Sequence, residues 1–438
     1  MTPRTTIGVA LLGLGTVGQG VWKHLTDQKA ALEARLGVRI DLRGVAVRRR
    51  ARARAVRVPA RLLTTDARRL VDDPKVGIVI ELIGGTGAAR ALVLRALRAG
   101  KTVITANKAL LCEHGPEVLA AAKAGGARLF LEGSVGGGIP IVKTLREGLV
   151  ANRFDLIVGI VNGTSNYILT RMGEAGLSFE AALAEARAKG YAEADPSLDV
   201  DGVDAWHKAS ILGFLAHGKW APRRRALVEG IRNVSAADIG FARKFGYTLK
   251  HLAVVRRDLR AGWMSVGVYP ALVPSDDILA KVSGVNNGIT LRGDVVGVTT
   301  LAGPGAGADA TASAVLGDLA DALLEARGGA RPGADLHALA KAGRSVPMAP
   351  EEAIVSPFYL RLTLRDAHGV LAGIYRIFAR HKVSIARVVQ YEHAGTGTGT
   401  LTLSTYPGNE RDMARVVADL GRLRTVLEPP TLLRIFAP

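Results

Sequence analysis

One cysteine, Cys112, occurs in 438 residues. Its solitude excludes an internal disulfide and a cysteine-based zinc site, and it fits a reducing, cytoplasmic compartment. No apolar run is long enough to span a membrane. The amino-terminal run Ile7–Leu12 is too short for a signal peptide and breaks at Gly13. Acidic residues are scarce beside basic ones, 39 against 58, for a formal charge of +19. Such an imbalance can mark a nucleic-acid or membrane surface. Here arginine is spread along the whole chain, with no basic tail and no basic stripe interleaved with aromatics. A solvated arginine-rich surface is the better reading. With 48% hydrophobic and 22% charged residues the composition is that of a soluble globular protein. The length allows two or three domains, each with its own core.

The pattern of elements predicts an α/β fold. Ile7–Leu12, Leu42–Val47, Ile78–Leu82, Thr102–Thr105 and Leu129–Glu132 read as short strands. Gly18–Leu25, Ala88–Ala99 and Pro116–Ala124 read as helices between them. Such alternation predicts a doubly wound parallel sheet over residues 1–133. Residues 134–302 have longer helices (Phe179–Lys189, Val203–His217) and later strands (Leu249–Arg256, Met264–Pro270), an α+β domain. Gly303–Gly307 opens a helix to about Ala326, and residues 303–330 are expected to complete the first domain. The stretch Gly328–Pro350 is rich in Gly, Ala and Pro, and a linker is expected over 331–355. Residues 356–438 read as a separate βαββαβ unit. There is no tandem repeat, and the low-complexity run Gly395–Thr400 reads as a hairpin tip.

Gly13-Leu14-Gly15-Thr16-Val17-Gly18 is a GxGxxG that follows a strand and precedes a helix, the context of the Rossmann dinucleotide fingerprint. The first glycine permits the turn, the second admits pyrophosphate to the backbone, and the third lets helix pack on strand. All six residues are candidate cofactor contacts. After the second strand an NAD site usually carries an acid for the ribose 2′-OH. This chain offers Arg48, Arg49 and Arg50, which suit a 2′-phosphate, so NADP is favoured over NAD. Ile83-Gly84-Gly85-Thr86 and Thr105-Ala106-Asn107-Lys108 end two further strands, where ligands of open α/β sheets bind. Gly84, Thr105 and Lys108 are candidates on that ground.

The run from Ala186 to Lys208 places Glu193, Asp195, Asp199, Asp201 and Asp204 ahead of Lys208, an acidic reversal in a basic chain. It suits a site that holds a small cationic group beside a working lysine. Asp204 and Lys208 lie one turn apart on one helix face. One reading is a surface ion pair worth only about 0.3 kcal/mol. The other is a carboxylate that orients a proton-transferring lysine. An EF-hand is excluded, because Lys208 stands where the bidentate Glu belongs and Ser197 where the first ligand belongs.

Ala186, Gly190, Tyr191, Ala192, Asp195, Pro196, Asp199, Gly202, Asp204 and Lys208 together resemble the signature of the homoserine dehydrogenases. GLGTVG, the TANK run at Thr105–Lys108, the stretch Glu132–Pro140, Asn162–Tyr167 and Gly303–Gly307 follow the same family order. No kinase-like segment precedes them, so the likeness is to the monofunctional form. The resemblance implies NAD(P)-dependent interconversion of L-aspartate 4-semialdehyde and L-homoserine. It implies Lys208 as proton donor, Lys108 at the same oxygen, and Asp204 orienting substrate and lysine. Glu193 and Asp199, with backbone near Gly190, would hold the substrate ammonium. Gly305 would approach the cofactor. Glu132, with the carbonyls of Val135, Gly137 and Ile139, resembles a structural monovalent-cation site, and oxygen ligands suit sodium.

Phe358–Leu364, the turn Arg365–Gly369 and the helix Val370–Arg380 resemble the start of an ACT domain. The usual Asp-x-Pro-Gly turn reads Asp366-Ala-His368-Gly369 here. The likeness implies an amino-acid effector, with L-threonine expected as inhibitor, and a homo-oligomer, dimer or tetramer. Two rivals use the same scaffold: a dehydrogenase for another semialdehyde or hydroxy acid, and a non-catalytic sensor. The Ala186–Lys208 match argues against the first. A sensor would tolerate loss of Lys108, Asp204 or Lys208, and all three are present.

Overall fold

The computed structural model describes residues 5–329, 333–393 and 395–437. The chain packs as two compact units. One comprises Met1–Ile157, His207–Ala221 and Asn286–Val346; the other comprises Val158–Trp206, Pro222–Val285 and Pro347–Pro438.

In the first unit six strands form a parallel sheet: β1 (Thr6–Leu12), β2 (Arg39–Ala46), β3 (Leu63–Thr64), β4 (Val76–Glu81), β5 (Thr102–Thr105) and β6 (Leu129–Phe130). Their order is β3-β2-β1-β4-β5-β6. The order reverses between β1 and β4, which opens a crevice at their carboxyl ends. Alternation of strand and helix dictates this, because each parallel return needs a crossover helix. The first helix, Thr16–Leu36, outruns the expected Gly18–Leu25 and stops at Gly37 in the left-handed conformation (φ +67°). Its second half is polar, so apolar spacing was a poor guide there. The helix Lys108–Gly125 likewise begins about two turns before the expected Pro116, because Asn107 caps it. It is kinked at His114, just ahead of Pro116.

Helix Ala308–Ala326 packs on this sheet. Ala312, Val315, Leu319 and Leu323 share a core with Val21, Trp22, Ile40, Ile78 and Ile104. Contact is close: a Cβ on Gly20 would stand 2.5 Å from the Ala308 carbonyl oxygen. This helix and the six-stranded sheet belong to the same compact unit.

In the second unit Tyr247–Arg257 pairs antiparallel with Met264–Pro274 along its whole length. The carboxyl-terminal elements follow the expected βαββαβ order: Phe358–Arg365, Val370–Arg380, Ile385–His393, Thr398–Thr405, Glu410–Leu420 and Thr431–Ile435. This sheet does not end at its own edge. Thr431–Ile435 pairs with Phe358–Arg365 on one side and with Met264–Pro274 on the other. Strand alternation gives the sheet two packed faces. Phe358, Leu360 and Leu362 meet Ile374, Phe378 and Met413. Tyr359 and Leu433 join the core of Tyr167, Ile168, Phe241 and Leu249. Arg434, only 3% exposed, pairs with Glu229 and bidentately with Glu410.

The expected linker holds a helix, Leu336–Ala342, whose cap Asp335 accepts from the His337 amide at 2.7 Å. Residues 330–332 lie outside the described residues. The GTGTGT run starts in the turn joining Ile385–His393 to Thr398–Thr405, with Gly395 and Gly397 at positive φ. Among the described residues no helix is long and apolar enough to cross a membrane.

Candidate active site

The GxGxxG turn leaves β1 in the conformation its glycines permit. Gly13 has φ +101°, and a Cβ there would meet the Leu82 carbonyl at 2.5 Å. A Cβ on Gly18 would stand 2.3 Å from the Gly13 oxygen, so the third glycine lets helix approach turn. Nothing lies within 4 Å of a Cβ on Gly15. The second glycine thus faces open space at a helix N-terminus with no acid in its first turn, where a pyrophosphate is stabilised by amides and dipole. Leu14 is buried, Thr16 exposed and Val17 half-buried.

Beyond β4 and β5 the loops are fixed by a residue that the sequence reading did not single out. Glu81 is fully buried. Its carboxylate accepts from the amides of Ile83 (2.8 Å) and Gly84 (3.0 Å) and from the Thr105 hydroxyl (2.7 Å). Asn107 donates to the Gly85 carbonyl at 2.7 Å and caps the helix that Lys108 begins. Thr105 therefore holds the loop together, and Lys108 stands half-buried at the carboxyl edge of the sheet. A polar residue ending a buried strand was the available signal for Glu81. Arg48 and Arg49 are exposed beyond β2, whereas Arg50 is tied back to the carbonyls of Ala60 and Leu63.

Gly305 packs flat against Asn287: a Cβ on Gly305 would lie 1.9 Å from the Asn287 amide carbon. Asn287 is 1% exposed, and neither of its amide atoms has a hydrogen-bond partner among the described residues. A buried orphan amide beside this loop fits a bound polar group. A Cβ on Gly137 would come 2.5 Å from the Gly305 carbonyl, which binds the two glycine-rich loops together. In the first of these loops Glu132 is 3% exposed and accepts from the amides of Val142 (2.9 Å) and Lys143 (2.8 Å). Burial pushes its carboxyl up to about 7. Asp318, which accepts from the Glu132 amide, is raised by burial and by that neighbour. Val135, Gly137 and Ile139 are all buried, Gly137 with φ +57°. No cluster of three metal-ligating side chains occurs among the described residues. A site of one carboxylate and backbone carbonyls would not form such a cluster.

The acidic run divides into separate roles. Asp201 pairs with Arg232 at 2.5 Å, and Asp195 accepts from the Ser197 amide at 3.1 Å. Asp199 and Asp204 are brought together by Asn162, whose Nδ2 donates to Asp199 Oδ1 (2.7 Å) and to Asp204 Oδ2 (2.9 Å). The Asn162 Oδ1 meanwhile caps the helix Gly163–Ala175 by accepting from Ser165. Thr164 and Ser165 donate to the carbonyls of Tyr191 and Asp199. The NGTS run thus organises the acidic loop. Its cap pattern, Asn before a helix start, was legible; its grip on two distant carboxylates was not. Gly190, with φ +73°, and Glu193 are exposed on the same loop.

The helix Val203–His217 carries Asp204 and Lys208 one turn apart, each 8% exposed. Neither is a surface residue, so the surface-pair reading falls. His251 is buried too and held by the Glu229 carbonyl at 2.9 Å. Burial depresses it to about 4, against the pull of the Asp204 charge. It is therefore neutral at physiological pH.

A dinucleotide fingerprint at a sheet crevice, with buried acid and lysine on one helix, defines a nicotinamide-dependent dehydrogenase. The comparisons narrow it. Residues 13–132 match the homoserine dehydrogenase NAD-binding domain, residues 140–320 the homoserine dehydrogenase domain, and residues 358–425 the ACT domain. The homoserine dehydrogenase of Synechocystis is 39% identical, covering 99% of this chain and all of that protein. That of Pseudomonas aeruginosa is 39% identical over 98% of each. The crystal structure of a homoserine dehydrogenase from Thiobacillus denitrificans superposes with a TM-score of 0.91 at 38% identity, covering 100% of this chain and 99% of that one. A hyperthermophilic archaeal homoserine dehydrogenase, solved in complex with NADPH, has a TM-score of 0.62 at 27% identity, covering 73% of this chain and 98% of that one. The chain belongs to the homoserine dehydrogenase family, and it is an oxidoreductase with a carboxyl-terminal ACT domain.

Proposed function

We propose that the protein interconverts L-aspartate 4-semialdehyde and L-homoserine with NADP as preferred cofactor, in cytoplasmic threonine, methionine and isoleucine biosynthesis. The observation that carries the reading is the Asn162-held pair Asp199 and Asp204 one helical turn from a buried lysine. Two carboxylates in one place favour a cationic group, which is the ammonium end of either compound. Glu193 and the backbone at Gly190 complete that end. The nicotinamide, when bound, supplies or accepts the hydride. Lys208 gives its proton to the aldehyde oxygen during reduction and takes it back during oxidation. Asp204 orients Lys208, and Lys108 stabilises the negative charge that develops on the same oxygen. The turn Gly13–Gly18, Gly84, Thr105 and Gly305 position the cofactor, and Arg48 meets its 2′-phosphate. The test is absorbance at the nicotinamide band with L-homoserine and NADP, then NAD. Turnover with both and a higher kcat/KM for NADP is expected. A folded protein that binds nucleotide and turns over neither pair defeats the assignment.

Glu132, Val135, Gly137 and Ile139 would hold a monovalent cation of structural role. Replacing choline chloride by sodium chloride should then raise Tm in wild type and leave Glu132→Gln unmoved. Equal shifts in both proteins dismiss the cation.

L-threonine is the proposed inhibitor, acting through the ACT turn in a homo-oligomer. A cavity of about 280 Å³ lies there, bounded by Asp366, His368, Gly369, Gln390 and Thr400. His368 is exposed. Deletion of residues 350–438 would strip Tyr359 and Leu433 from a core they share with Tyr167 and Ile168, so a point variant is the cleaner probe. Asp366→Ala should raise the inhibitory threonine concentration about tenfold, the loss of one charged hydrogen bond. Unchanged inhibition removes threonine from this turn.

A further inference from the structure

Lys250 belongs to none of the machinery described above. It lies on the strand Tyr247–Arg257 and is 3% exposed. A buried ammonium is costly unless its donors are filled. One of its three N–H bonds reaches the Val282 carbonyl at 2.6 Å. Among the described residues no other acceptor takes the remaining two, and no carboxylate pairs with it. Burial lowers its pKa to about 8, the charge of Glu174 opposing the shift.

Lys250 lines a cavity of about 170 Å³. That is comparable to an engineered cavity of about 150 Å³ that takes a benzene-sized molecule. Thr170, Thr248, Ser275 and Glu174 also line it. The Thr170 hydroxyl is already engaged with the Asn166 carbonyl (2.7 Å), and the Arg243 guanidinium with the Gly173 carbonyl. The buried cation is therefore the unfilled partner. Leu169, Thr170, Gly173 and Glu174 belong to the last turns of the helix Gly163–Ala175, whose cap Asn162 holds Asp199 and Asp204.

We propose that this cavity is a binding site for a small monocarboxylate, whose oxygens take the two unfilled N–H donors of Lys250. One buried cation matches one negative charge. Glu174 disfavours a dianion such as phosphate, and the volume excludes a nucleotide. A bound carboxylate removes the desolvation penalty that the lysine now bears.

The test is saturation-transfer NMR on the full chain with sodium acetate as probe, at constant ionic strength in chloride. A saturable signal is expected in wild type, competed poorly by phosphate. Lys250→Met, close in shape and apolar, should weaken it at least about tenfold. Ser275→Trp, at an exposed position of the wall, leaves Lys250 in place and should abolish the signal by filling the space. If Lys250→Met does not fold, Ser275→Trp decides alone. No saturable acetate signal in wild type, or an undiminished one in Ser275→Trp, overturns the proposal. The readout is binding, so it stands apart from the dehydrogenase reaction.

Discussion

Lys208→Ala is expected to lower kcat for homoserine oxidation by about 10³-fold, near the upper range for loss of a positioned acid or base. When the hydride leaves carbon, the hydroxyl proton must move to a group already within reach. In the proposed reaction that group is Lys208, 8% exposed on a helix with Asp204. Water cannot substitute well where the reacting centre is enclosed. NADPH affinity, read by fluorescence titration, should stay within about twofold, because the fingerprint turn does not involve this helix. Lys208→Arg should not rescue, since guanidinium holds its proton far above the working range and has a different shape. A kcat loss below about tenfold would assign the proton to another group, with Lys108 the first to examine.

Asp238→Ala should cost about 3–5 kcal/mol of stability, the usual penalty for stranding a buried ion partner. Asp238 is fully buried and serves three partners at once. Its carboxylate accepts from the Tyr359 hydroxyl (2.8 Å) and from Arg361 Nε (2.8 Å). It also completes a capping box with Ser235 at the start of the helix Ala236–Lys244. Removing it strips a largely buried guanidinium of its counter-charge, leaves a buried phenol unsatisfied, and removes one arm of the capping box. Both stranded residues lie on Phe358–Arg365, the first strand of the ACT sheet. The double variant Asp238→Ala/Arg361→Met should be less destabilised than the sum of its parts, because it removes charge and countercharge together. A calorimetric loss below about 1 kcal/mol for Asp238→Ala would mean that this contact is not what holds the strand.

Much of this architecture is legible in the chain. Strand–helix alternation specified the parallel sheet, because local periodicity and turn chemistry are short-range properties. Thr102–Thr105 and Val203–His217 have the expected bounds. The strand Phe154–Ile160 and the hairpin Asn286–Gly293/Gly297–Pro304 were not foreseen. Phe154–Ile160 is buried almost throughout and the hairpin's second strand buries little, so alternation gave a faint signal. The first helix outran its expected end for the converse reason: capping and tertiary contact carry a polar second half that apolar spacing does not mark.

The site divides the same way. The sequence alone determined the glycines of the turn, the presence of two lysines and five carboxylates, and the family these motifs belong to, because each depends on residue types at short spacing. Only the tertiary structure decided which carboxylates are held together. Asn162, 37 residues before Asp199 and 42 before Asp204, binds both, while Arg232 takes Asp201 away. It likewise made Glu81 the brace of the loops beyond β4 and β5 and left Lys250 with unfilled donors among the described residues. Hydrogen bonds between residues distant in sequence depend on how the chain returns on itself, and burial sets their strength. Neither quantity is written in local spacing, so it took the folded chain to show which carboxylates share a partner.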